Sequence, residues 1–151
     1  FNPWHEGHRE MAALAEARTG KPVHYEIAVR NVDKPPLDFL EIEERIRQFP
    51  DPARVLLTTA PTFAEKARLF PGATFVVGAD TIRRIGEPRY YGNQVAVMVR
   101  AIEAIAVAGC RFLVFGRSDA QGKFATLDRL QLPAALAALC EEVPEAEYRC
   151  D

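Results

Sequence analysis

A chain of 151 residues is long enough to bury a proper core and short enough to read as one domain, 1–151. Its 48% hydrophobic and 26% charged residues are ordinary for a soluble globular protein. The net charge of −2 gives no electrostatic reason to expect nucleic acid or an acidic membrane as a partner, so any phosphate binding has to be local, built from loops and helix ends. Three cysteines, Cys110, Cys140 and Cys150, are an odd number without a C-x-x-C pair, which points to a reducing cytoplasm and away from structural zinc. No apolar run reaches membrane-spanning length and no signal peptide is visible.

The chain opens on Phe1-Asn2-Pro3-Trp4-His5-Glu6-Gly7-His8. The two histidines stand three apart at the start of a helical pattern, which puts both imidazoles on one face of its first turn. Unpaired backbone N–H groups and the positive end of the helix dipole point the same way, a setting that receives phosphate, and Gly7 leaves room for a ligand to approach the backbone. The plainer alternative is a polar helix start with surface histidines. An i, i+3 metal pair lacks a third ligand at sensible spacing, so no metal site is expected.

The string Phe1-Asn2-Pro3-x-His5-x-Gly7-His8 resembles the F-x-P-x-H-x-G-H signature of the HxGH nucleotidyltransferase superfamily, which includes nicotinamide-nucleotide, pantetheine-phosphate and glycerol-phosphate nucleotidyltransferases. The resemblance implies that Phe1, Asn2, Pro3 and Gly7 shape the nucleotide site and that His5 and His8 act on the phosphates. A turn of this kind normally follows a buried strand, so a first strand is expected upstream of residue 1, in a domain incomplete at both ends.

Residues 5–19 form an alanine-rich helical pattern on Met11, Leu14, Ala15 and Arg18, stopped by Gly20. Val23, Tyr25, Ile27 and Val29 alternate and predict a strand, with His24 on the other face. Asn31-Val32-Asp33-Lys34-Pro35-Pro36-Leu37 follows as a loop, since two prolines cannot sit in a central ladder. It lies at the carboxyl end of a strand, where open α/β sheets collect ligands. In relatives a similar loop borders the substrate, and the resemblance makes Lys34 a phosphate contact; the alternative is a solvated lysine. Residues 39–49 read as a helix with Leu40, Ile42, Ile46 and Phe49 apolar. Residues 54–59 read as a buried strand, and a helix follows over 63–70, with Thr62 either its N-cap or a ligand contact.

Pro71-Gly72 turns into a strand ending at Gly78-Ala79-Asp80, followed by a helical 81–85. Gly78 and Asp80 resemble the G-x-D segment on the adenosine side of nicotinamide-nucleotide adenylyltransferases, where a carboxylate accepts from ribose hydroxyls; helix capping by Asp80 is the alternative. Relatives carry a stacking tryptophan near the loop that here holds Tyr90 and Tyr91, so these are candidates for base stacking or for ordinary packing. Residues 93–108 predict a core helix, 111–116 a buried strand ending in Gly116-Arg117, and 132–143 a further helix. The resemblance sets Arg117 at the phosphate site; the alternative is an ordinary loop arginine. Pro144-Glu145, Tyr148-Arg149 and Asp151 resemble the lead-in to an Ile-Ser-Ser-Thr-x-x-Arg segment that holds ATP β- and γ-phosphates, expected beyond Asp151.

The expected fold is thus α/β: a Rossmann-like, doubly wound parallel sheet of about five strands, the first upstream of residue 1, of the adenine nucleotide alpha hydrolase and nucleotidyltransferase type. The loops singled out are expected on one rim. The resemblance implies a cytoplasmic adenylyltransferase of NAD biosynthesis that transfers AMP from ATP, carried with Mg²⁺, to a mononucleotide phosphate such as NMN and releases pyrophosphate. Two alternatives stay open: a nucleotide-binding regulatory module without turnover, and the same chemistry on phosphopantetheine or a polyol phosphate. Homo-oligomer formation is also open.

Overall fold

The computed structural model describes residues 4–32, 34–118 and 120–148, and the chain divides into two compact units, Phe1–Thr62 and Phe63–Asp151. Both alternate helices with parallel strands, so the class is α/β. Among the described residues no helix is long and apolar enough to cross a membrane.

In the first unit α1 (Glu6–Thr19) starts from His5, whose extended backbone makes it the N-cap. It ends at Gly20, whose left-handed φ of 67° lets its N–H reach the Glu16 carbonyl. Ala12 and Ala15 form the buried face. The Glu16 carboxylate accepts from the Val23 N–H at 3.0 Å and from Arg54 at 2.5 Å. This capture of Val23 delays β1 (Tyr25–Ala28) to two residues beyond the start of the alternating pattern. β1 pairs in parallel with β2 (Val55–Thr58), Tyr25 opposite Val55 and Ala28 opposite Thr58.

Between the two strands lies α2 (Phe39–Arg47), opened by a capping box in which Asp38 accepts from the Glu41 N–H and Glu41 accepts from the Asp38 N–H. The apolar face expected on this helix is not fully used: Leu40 is 73% exposed, whereas Phe49, beyond the helix, is buried against Tyr25 and Trp4. β2 is also less enclosed than its apolar run suggests. Leu57 is half exposed, and the buried position goes to Thr58, whose hydroxyl donates to the Glu26 carboxylate across the β1–β2 ladder.

The second unit begins with α3 (Phe63–Leu69) and holds a three-stranded parallel sheet, β3 (Thr74–Gly78), β4 (Arg111–Phe115) and β5 (Cys140–Val143), with β4 central. α4 (Ala79–Ile85) follows β3 without a loop, and α5 (Val95–Val107) leads into β4. Ile82, Ile102, Ile105, Phe112 and Leu136 make a core no more than 2% exposed, and the Phe63 ring meets those of Phe75 and Phe112 edge to face.

β5 corrects the sequence reading, which runs one helix through 132–143. The helix present, α6 (Ala134–Ala137), is a single turn, and 140–143 is a strand. The reason lies in β4. Phe112, Leu113, Val114 and Phe115 are each 1% exposed, and buried backbone N–H and C=O groups need partners on both edges of a strand. β3 serves one edge, and 140–143 serves the other in register from Phe112↔Cys140 to Phe115↔Val143. Helix propensity yields to that demand. The five strands are therefore divided two and three between the units, where a single sheet is expected from sequence.

β4 ends at Gly116, where an added Cβ would lie 2.2 Å from the Phe124 ring and 2.6 Å from the Ala125 carbonyl. Gly116→Ala is therefore expected to cost about 1–3 kcal/mol in chemical denaturation through overpacking. Gly78→Ala is expected to be nearly neutral in the same measurement, because its Cβ would meet only the Phe115 carbonyl at 3.9 Å.

Candidate functional site

The start of α1 is fixed by the residue before its cap. The Trp4 N–H donates to Gln48 Oε1 at 2.8 Å and its ring lies 6.1 Å from that of Phe49, so the turn is tied to the end of α2 and to the unit's aromatic core. His5 and His8 then interlock. His5 Nδ1 accepts from the Gly7 N–H at 3.1 Å, and His8 Nδ1 accepts from the His5 N–H at 3.2 Å, a capping box made by imidazoles at the N-cap and N3 positions. The ring centroids are 3.9 Å apart and the planes tilted by 36°.

A ring nitrogen that accepts from a backbone N–H carries no proton, so each neutral ring bears its proton on Nε2. The capping geometry therefore sets the tautomer and makes both Nε2–H groups donors. Burial, with the neighbouring His5, pushes the His8 pKa down to about 4. At neutral pH His8 is an uncharged hydrogen-bond donor. Of the other residues expected in this first unit, Phe1, Asn2 and Pro3 lie outside the described residues, as does Asp33 of the Asn31–Leu37 loop, and so do positions 149–151 of the second unit. Lys34 stands exposed on the β1–α2 loop, which is cinched by a hydrogen bond from the Leu37 N–H to the Val29 carbonyl at 2.9 Å.

In the second unit the expected residues gather because β3 and β4 run parallel, Gly78 opposite Phe115, so Asp80 and Arg117 emerge at the same end. Gly78 caps α4 through its backbone alone, and nothing within the unit demands a glycine there, as its nearest Cβ contact shows. Asp80 lies in the first turn of α4, with one carboxylate oxygen 4.0 Å from Arg117 and the other 3.9 Å from Arg83. Arg83 continues to Glu87 at 3.4 Å, Glu87 to Arg89 at 3.0 Å, and Arg89 to the Tyr90 hydroxyl at 2.7 Å, with its guanidinium 4.8 Å above the Tyr90 ring.

Three cations and two carboxylates thus form one exposed ladder that joins Arg117 and Asp80 to Tyr90. Arg83, Glu87 and Arg89 escaped the sequence reading, although the spacing of positions 80, 83 and 87 on one helical face carried the signal. The two tyrosines part company. Tyr91 turns its hydroxyl to the Ile85 carbonyl at 2.8 Å, and burial raises its pKa, a packing role. One face of Tyr90 is already stacked by Arg89.

Comparison of the chain with protein-family models, curated proteins and solved structures finds no match. Among the described residues no group of three or more His, Cys, Asp or Glu side chains is placed to hold a metal ion.

The interlocked rings make a titration prediction. The folded pKa of His8 lies below the ordinary 6.5, so the unfolded chain takes up its proton first as pH falls. Stability from this group is complete above pH 6.5 and is lost between about 6.5 and 4. Proton-detected histidine NMR should show one imidazole titrating near 4, with amide exchange at His5, whose N–H the His8 ring accepts, rising over the same window. A midpoint at or above 6.5 for His8 would contradict the geometry.

Proposed function

We propose that the chain is a nucleotidyltransferase of the HxGH type that transfers AMP from ATP to the phosphate of a mononucleotide such as NMN and releases pyrophosphate. What supports this most is the His5–His8 pair, whose mutual capping through Nδ1 leaves the two Nε2 positions to face outward from one helix start as donors. Donors of that kind stabilise the negative charge on the phosphoryl oxygens under in-line attack, and no covalent intermediate is needed. On this reading His5 and His8 hold the α- and β-phosphates in the first unit, with Lys34 adding charge and Gly7 close to the ligand. In the second unit Asp80 accepts from ribose hydroxyls beside Gly78, Arg117 meets a phosphate, and Tyr90 offers a ring to the base. Mg²⁺ arrives on the ATP phosphates. The finer architecture that goes with this proposal is the Rossmann-like doubly wound one, to which parallel strands alternating with helices conform.

The test is pyrophosphate release from ATP and NMN. His8→Ala is expected to lower kcat about 10²–10³-fold, the loss typical of removing one pre-set donor to a developing charge. Asp80→Asn is expected to act on KM. If His8→Ala retains activity within about tenfold while still folded, the mechanism is wrong. Calorimetric binding of ATP without turnover would instead favour a nucleotide-sensing module.

A further inference from the structure

α5 buries Met98, Ile102 and Ile105, which makes it a core helix as its composition suggests. Its outer face is also apolar. Val95, Val99 and Val107 are 57%, 41% and 88% exposed, and Ala96 and Ala106 are exposed with them. At 100° per residue these five positions fall within a sector of roughly 120°, with Glu103 inside it and Arg100 at its border. Such a sector on a helix end to end is more than a scatter of single exposed side chains.

The order of residues along the stripe says what it fits. Counted outward from Ala101, Val95 is matched by Val107 and Ala96 by Ala106, so the two ends of the stripe are alike, while Val99 is matched by Glu103 at its centre. Two copies laid antiparallel about a two-fold axis at the height of Ala101 would set Val95 level with Val107 of the other copy and Ala96 level with Ala106, the paired residues lying on opposite flanks of the contact. The same operation brings Arg100 of each copy beside Glu103 of the other, one residue out of direct opposition, twice over by symmetry. Both side chains are exposed, and neither is ion-paired among the described residues. Small side chains on the stripe allow close approach of the helices, and charges that complement themselves under a two-fold are what an isologous contact requires.

From this we infer that α5 is a self-association surface, pairing antiparallel with α5 of a second copy of the chain. The inference is independent of the nucleotidyltransferase reading. A helix of this length spans about 20 Å. A pair of them buries less than the roughly 800 Å² per partner of a standard stable interface. The dimer is therefore weak, with dissociation in the micromolar range or above.

Sedimentation equilibrium of the whole chain up to roughly millimolar concentration tests it. A reversible monomer–dimer equilibrium is expected, weakened about tenfold or more by Val107→Asp, by Arg100→Glu and by Glu103→Arg. Mixing the two charge variants is expected to restore association, because positions 100 and 103 then carry only carboxylates on one copy and only guanidinium groups on the other. Circular dichroism and melting curves confirm that each variant is folded. A chain that stays monomeric at every concentration overturns the inference, as does a dimer indifferent to the charge exchanges. A loss of fold in Val107→Asp would overturn it too, since the stripe would then be covered within the chain.

Discussion

Backbone groups that cannot reach water govern the second unit. Residues Phe112–Phe115 are almost wholly enclosed, and each of their amides and carbonyls has to be met by another strand. This single constraint draws β3 and β5 into parallel register on either side. It converts a segment with alanine and leucine neighbours into an edge strand, and it fixes the end of β4 against Phe124 at Gly116. The placement of Asp80 and Arg117 at one end of the sheet is a by-product, since parallel neighbours deliver their carboxyl ends together.

At the start of α1 the same requirement is met by side chains. A helix leaves its first amides without partners, and here two imidazoles supply the acceptors. The arrangement joins structure to chemistry in one set of bonds: the nitrogen used for capping is removed from service, and the other is committed to donate. Protonation of His8 would break the bond it accepts from the His5 N–H, and burial, with the neighbouring His5, holds its pKa low enough that the bond survives at neutral pH. Serine or aspartate would cap the helix as well but would leave no matched pair of donors.

Charge on this molecule is local rather than global. A net of −2 conceals a ladder of three arginines and two carboxylates that runs from Arg117, after β4, along α4 and the turn after it. Exposed pairs at such distances contribute little to stability. Their effect is to hold Arg83 and Arg117 beside Asp80 at one end of β3 and β4, and to occupy one face of Tyr90 with Arg89.

Periodicity alone determined most element types: the alternation around Tyr25 and Ile27, the apolar run of β4 and the helical patterns of α1, α2 and α5 all depend on local sequence. The pairing of His5 with His8 was equally legible, because three residues on a helix are neighbours whatever surrounds them. Tertiary structure decided what depends on partners distant in sequence. It made 140–143 a strand, since only the open edge of β4 distinguishes it from a helix end. It left Leu40 exposed where pattern put it on an apolar face, and buried Phe49 between Tyr25 and Trp4. It also separated two adjacent tyrosines, one to the Ile85 carbonyl and one to Arg89. Sequence records what a side chain is able to do, and long-range packing selects which of those options has a partner within reach.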